Sequence, residues 1–361
     1  MQKVLLISNY VFHYRLNNYN FFAEEFKKLG FEFSLLTHEA QKVPFEIKYP
    51  LIEVPKKFSA FRKAVNKIKP DVIILFAHLK DLHIHPLTCY LKIKRIPFIY
   101  WNFGINTDHP DAYLKNALYR LYHTISKSII LYSPNEIKYI KEKNRRKVFI
   151  GNNSVNLTDI DASQFTDKDY LRKKYHIKES KIVLFVGLIS KKAKKLDILL
   201  QCFRNQDIAV VIAGKGMNDE QLGIVNSQAN YYYLGEISYD RNEIYNIYKS
   251  ADVFCIPGNV GLSIIEAFFM GKPVFTMEFP NEVNSPELWY LKNGENGYIA
   301  SSREELESKI IEVLGNPEMY QSFCKLARET YDTQAHIKFM FEGFKNAVNY
   351  ALDSKKRKNI P

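Results

Sequence analysis

Short apolar runs recur along this chain, separated by stretches of helical periodicity and by breaks rich in glycine, asparagine or proline. Val4–Ser8 reads as a buried strand, Tyr19–Leu29 as a helix stopped at Gly30, and Phe31–Thr37 as the next strand. A helix over Phe61–Ile68 ends before Pro70. Asp71–Phe76, Pro97–Trp101, Ser128–Ser133 and Lys147–Ile150 read as further strands, with a helix predicted over Asn135–Lys143. Strands without polar alternation, interleaved with helices, predict a parallel sheet covered on both faces.

From Gly151 to about Tyr170 the chain turns polar, rich in Asn, Asp, Ser and Thr, which predicts an interdomain connection. The alternation then restarts. Lys181–Val186, Ile208–Ala213, Tyr231–Gly235 and Ala251–Ile256 read as strands, with helices from about Leu196 and over Glu243–Lys249. Helices at Arg303–Gly315 and Pro317–Tyr331 and an amphipathic helix at His336–Leu352 complete the chain. Two βα-repeating halves predict two Rossmann-like domains. The expected bounds are 1–155 and 156–335, with 336–361 as a terminal helix and basic tail.

The richest segment is Pro257-Gly-Asn-Val-Gly261-Leu-Ser-Ile-Ile-Glu266-Ala-Phe-Phe-Met-Gly271-Lys-Pro273-Val274. A strand runs into a glycine loop, the loop opens an apolar helix, and Gly271 and Pro273 stop it. Gly258 and Gly261 allow close backbone approach to a ligand. The helix start at Leu262 and Ser263 offers N–H groups to a phosphate. Glu266 lies among apolar neighbours, so a hydrogen-bond donor should meet its carboxylate. The arrangement fits a nucleotide, with diphosphate on the loop and ribose hydroxyls on Glu266. It also fits an ordinary core helix of an α/β protein. A second segment, Phe185-Val186-Gly187-Leu188-Ile189-Ser190, is followed by Lys191, Lys192, Lys194 and Lys195. Gly187 directly after an apolar strand, with Lys194 or Lys192 nearby, suits a diphosphate; a solvated basic turn is the alternative.

These segments resemble the signature of the retaining glycosyltransferases of family 4. Gly261-Leu262, Glu266-Ala267 and Gly271-Lys272-Pro273-Val274 match it, as do Pro286-Glu287-Leu288 and the turn Asn293–Gly297. Three positions depart. Gly258 stands where the family has its first acid, and Leu188 where it has a diphosphate-binding arginine, in a lysine loop one residue longer than usual. In Trp101-Asn102-Phe103-Gly104, which resembles a Trp-x-His-Gly loop, Phe103 replaces the histidine. Asn102 or Asn106 is then expected to supply the polar contact. Tyr14 and Arg15 resemble a Tyr-Arg pair before the first helix, although a first-turn arginine needs no ligand.

The resemblance implies the GT-B fold, an α/β architecture of two facing Rossmann-like domains with a cleft between them and a C-terminal helix crossing back to the first domain. It implies transfer of a sugar from a nucleotide-diphosphate-sugar donor to a hydroxyl of a glycan or lipid-linked oligosaccharide, in bacterial surface polysaccharide synthesis. Configuration is retained, no metal is needed, and no cofactor is used beyond the donor substrate. No general base is identifiable. A protein that binds nucleotide-sugar or glycan without transfer is the alternative that the three departures raise.

Composition narrows the partners. The 361 residues suffice for two domains. Four cysteines lie far apart without metal-ligand spacing, and His83-Ile-His85 lacks a third ligand, so no metal site is expected. No apolar run reaches the ~18 residues of a membrane span, and the start lacks a signal-peptide pattern. A cytoplasmic protein is expected, peripheral on the inner face of the membrane. The net charge of +12 and the tail Lys355–Lys358 suit an anionic membrane surface. No recognisable nucleic-acid module accompanies the charge, so nucleic acid is not an expected partner.

Overall fold

The computed structural model describes residues 1–76, 78, 80–106, 111–190, 192–237, 241–280, 282 and 284–356. Lys191 and the end of the basic tail, both named above, lie outside the described residues, as do the side chains of Lys355 and Lys356. The chain forms two compact units, Met1–Leu157 with His336–Pro361, and Thr158–Ala335.

In the first unit β1 (Gln2–Ile7), β2 (Tyr10–Val11), α1 (His13–Lys28), β3 (Phe31–Thr37), β4 (Glu39–Ala40) and β5 (Leu51–Glu53) lead to α2 (Phe58–Ile68) and β6 (Val72–Phe76). Then come α3 (Ile84–Ile93), β7 (Phe98–Trp101), α4 (Tyr113–Ile125), β8 (Ser128–Leu131), α5 (Glu142–Arg145) and β9 (Val148–Ile150). The parallel sheet has the order β5-β3-β1-β6-β7-β8-β9, and β2 pairs with β4 separately. The centres of its inner strands are apolar on both sides because both faces are covered.

Helix α1 starts six residues before the expected Tyr19. Its polar residues Asn17, Asn18 and Asn20 obscure the helical period in the sequence. They face inward instead: the Asn18 amide donates to Ser154 O at 2.7 Å and its Oδ1 accepts from Asn156 N at 2.7 Å. The helix expected at Asn135–Lys143 is broken into a 3₁₀ turn, Pro134–Tyr139, and the short α5. Ser133 and the buried Glu136 form a capping box there, which fixes the turn locally.

The second unit runs α6 (Tyr170–Tyr175), β10 (Lys181–Val186), α7 (Leu196–Leu199), β11 (Ile208–Ala213), α8 (Asp219–Ser227), β12 (Tyr231–Gly235) and α9 (Arg241–Ser250). It continues with β13 (Val253–Cys255), α10 (Ser263–Phe269), β14 (Val274–Met277), β15 (Gly297–Ala300), α11 (Arg303–Gly315) and α12 (Pro317–Thr330). The order β12-β11-β10-β13-β14-β15 is that of a dinucleotide-type doubly wound sheet, all pairs parallel. The helix expected from Leu196 lasts one turn only.

A π-helical turn, Tyr331–Ala335, leads into α13 (Ile337–Lys356), which packs on the first unit's sheet. Phe344 meets Phe22 and Trp101, each with ring centroids 4.9 Å apart, and Ser128 Oγ donates to Ala347 O at 2.9 Å. At Gly343 the helix presses on β9: a Cβ there would lie 2.0 Å from Ile150 O, so only glycine fits.

Candidate nucleotide site

In an open parallel sheet, ligands bind outside the carboxyl ends of the strands, where the strand order reverses. In the second sheet that point lies between β10 and β13, because the chain leaves β10 toward β11 on one side and later returns to β13 on the other. The loops after these two strands are the two segments the sequence singled out.

They are zipped together by backbone. Gly258 N–H donates to Lys194 O at 3.1 Å, and Asn259 N–H to Ala193 O at 2.8 Å. Gly258 has no room for a side chain, since a Cβ would sit 2.1 Å from Ala193 O. The glycine therefore serves the loop–loop contact rather than ligand approach. The turn at 192–195 occupies the space that an acidic side chain at 258 needs. Gly261 is different. Its φ of +61° is a left-handed conformation that favours glycine, and a Cβ there would be 3.2 Å from Lys194 Nζ. The Lys194 ammonium donates to Val260 O at 3.0 Å, so this lysine reaches the start of α10. Gly187 lies below it, where an added Cβ would come 3.6 Å from Lys194 Cε. Lys192 is exposed on the 3₁₀ turn, and Lys195 is turned away, bonded to Glu282 at 2.6 Å. Leu188 is 43% exposed.

Leu262 caps α10 and Ser263 opens it. One turn on, Glu266 meets the donors that its apolar surroundings demand. Tyr245 Oη donates to Oε1 at 3.3 Å and Tyr248 Oη to Oε2 at 3.5 Å. Both tyrosines are buried and come from α9, one turn apart. Withdrawal from water pushes the Glu266 carboxyl up to about 7, against the pull of the two tyrosines and Arg241. The residue as a whole keeps partial solvent access. A carboxylate held this way accepts hydroxyl donors without needing a cation.

A third segment completes the site. Ser285 Oγ accepts from Gly261 N–H at 2.9 Å and Asn284 Oδ1 from Val260 N–H at 3.4 Å. Sequence reasoning missed Tyr245, Tyr248, Asn284 and Ser285. The Tyr-x-x-Tyr spacing on a predicted helix was the available signal for the first two; nothing local marks the others.

The first unit's candidates gather at the ends of β7 and β8 and at the start of α1. The Arg15 guanidinium lies 5.0 Å from the Trp101 ring centre, 5.7 Å from Tyr132 and 5.5 Å from Tyr14. Phe103 packs on Tyr132, with ring centroids 4.9 Å apart. Asn102 is buried, and its Oδ1 accepts from Phe103 N–H at 2.8 Å. Asn106 N–H donates to Asn116 Oδ1 at 3.0 Å. Thus Tyr14 and Arg15 share an aromatic platform, whereas the bonds of Asn102 and Asn106 shape their own loop. Among the described residues, no group of three His, Cys, Asp or Glu side chains stands ready for a metal.

Residues 167–330 match the family described as Glycosyl transferases group 1. No curated protein sequence matches the chain significantly. Solved structures match nearly end to end. A sucrose-phosphate synthase from Thermosynechococcus elongatus gives a TM-score of 0.72 at 15% identity, covering 98% of this chain and 100% of that one. Anabaena Alr3699/HepE in complex with UDP-glucose gives 0.71 at 14%, covering 97% and 100%. A glycosyltransferase from Rickettsia africae gives 0.70 at 16%, covering 97% of both chains. The chain therefore has the GT-B fold, and its second unit carries the sequence pattern of the group 1 glycosyl transferases.

Proposed function

We propose that this protein transfers a sugar from a nucleotide-diphosphate-sugar to a hydroxyl of a glycan or lipid-linked acceptor, with retention of configuration and without a metal. The observation that carries the reading is Glu266, partly buried and supplied with donors, one turn beyond a loop where Lys194 reaches Gly261 at the sheet's switch point. Glu266 receives the ribose hydroxyls, and Lys194, helped by Lys192, faces the diphosphate. The glycosidic bond to phosphate breaks with its electron pair passing to the diphosphate, which the cations stabilise. The acceptor oxygen adds on the face the phosphate leaves, and its proton passes to the departing phosphate oxygen. The protein then contributes position and charge rather than a base. The bacterial surface polysaccharide role and a place on the inner face of the membrane belong to the same proposal.

A panel of nucleoside diphosphates and nucleotide-sugars in a thermal-shift assay tests the reading. A ligand at a hundred times its Kd adds about 2.7 kcal/mol. A panel without any shift rejects it. Gly258 and Leu188 favour a second reading, binding without transfer, which predicts the same shifts but no release of nucleoside diphosphate.

A further inference from the structure

Helix α4 of the first unit buries Asn116, Tyr119, Tyr122 and His123 against the sheet. Its opposite face is the one that globular proteins keep polar, yet it presents Tyr113, Leu114 and Leu121, exposed by 76%, 83% and 51%. Ala117 and Arg120 share that face. The spacing 114–117–121 forms one stripe along the helix.

The stripe ends in a cationic cluster. Lys92 Nζ donates to Ile125 O at 3.3 Å, and Lys147 Nζ to Ser126 O at 2.7 Å and Thr124 O at 3.2 Å, all at the carboxyl end of α4. The charges that bear on Lys147 are Lys92, Lys127, Arg146 and Lys143. Burial chiefly, and these neighbours after it, bring its ammonium down to about 8. Lys92 and Lys147 complement the negative end of the helix dipole, and Lys127, Lys143 and Arg146 add charge beside them. Acids are sparse there. Between Ala112 and Asn135 the sequence contains no Asp or Glu, and Glu142 is the one acid in 141–147 among Lys141, Lys143, Arg145, Arg146 and Lys147.

We propose that the exposed face of α4, with the cations at its carboxyl end, docks the protein on an anionic lipid bilayer. Leucine side chains enter the acyl boundary while lysines and arginines meet headgroup phosphates. A nucleic acid would use the cations but gains nothing from Leu114 and Leu121. The inference locates the membrane contact proposed above in a folded face instead of the tail, and it stands on that face whether or not sugar transfer is shown.

Sedimentation with vesicles of about 30% phosphatidylglycerol in phosphatidylcholine tests it, using the full chain. Wild type binds these vesicles and not pure phosphatidylcholine. The exposed substitutions Leu114→Ser with Leu121→Ser weaken binding by roughly tenfold or more, in line with apolar surface withdrawn from lipid. Lys143→Glu with Arg146→Glu abolishes it at physiological salt, while circular dichroism and nucleotide-induced thermal shifts in the second unit stay unchanged. A chain ending at residue 354 retains binding. The proposal is overturned if wild type stays in the supernatant, if removing the tail alone abolishes binding, or if the serine pair binds as wild type does. Binding of RNA that ignores the serine pair, without vesicle binding, also overturns it.

Discussion

Replacing Glu266 by glutamine should separate ligand affinity from stability in opposite directions. Burial holds this carboxyl at about 7, against an ordinary 4.5. That gap corresponds to roughly 3 kcal/mol of unfavourable ionisation at alkaline pH. Because the residue keeps partial solvent access, about 1–3 kcal/mol is the expected range. The sign follows from linkage. A carboxyl whose folded value is raised adds stability fully below about 4.5 and loses it as pH rises through about 7. Wild type should therefore lose stability between pH 5 and 8 relative to Glu266→Gln, and the variant should be the more stable protein at pH 8. At about 2–4 °C per kcal/mol for a unit of this size, the difference is readable in a melting curve. The same variant should bind nucleoside diphosphate about tenfold or more weakly, since a charge-assisted bond contributes about 1.5–3 kcal/mol. Melting at pH 5 and pH 8, with calorimetric titration at pH 8 of the nucleoside diphosphate that shifts wild-type melting most, covers both halves. A variant less stable than wild type at pH 8, or one with unchanged nucleotide affinity, refutes the reasoning.

Further outcomes follow from the neighbouring contacts. Tyr245→Phe with Tyr248→Phe removes both donors to Glu266, so its carboxyl rises further and nucleotide affinity falls more at pH 7 than at pH 9, by calorimetry. Lys192→Ala with Lys194→Ala should weaken nucleoside diphosphate far more than nucleoside; equal losses would move these lysines away from the phosphates. Gly258→Asp, which restores the acid usual in the resembling family, should destabilise the second unit by about 1–3 kcal/mol in chemical denaturation, because the turn at Ala193 fills the space.

Strands were legible because a two-sided parallel sheet needs uninterrupted apolar runs: Phe31–Thr37, Lys181–Val186, Ile208–Ala213 and Tyr231–Gly235 fall at the expected residues. Helices that bury polar residues among the apolar ones were harder. Asn18 in α1 and Asn116 in α4 are buried by pairing with backbone, which hides the apolar period. Helix α8 was missed although Asn218 and Gln221 form a capping box at its start. At the candidate site, the sequence singled out Glu266, Gly261 and Lys194 from two local segments, and the fold brings Lys194 to Val260 and Gly261, one turn before Glu266. The partners of Glu266 and Gly261 were not: Tyr245 lies 21 positions from Glu266 and Ser285 lies 24 from Gly261. The role of Gly258 is not local either, since only the fold shows that the turn at 193 and this glycine share one volume.

The most direct measurement is release of nucleoside diphosphate from nucleotide-sugars by the wild-type protein, with NMR of the sugar's anomeric proton in the product. Sugar transfer with retention predicts release from at least one donor, slow to water and faster with a glycan or lipid-linked acceptor, and an anomeric configuration equal to the donor's. Saturable binding of the donor panel with no release by any acceptor or by water over hours would contradict sugar transfer. It would leave a nucleotide-sugar binding protein in its place.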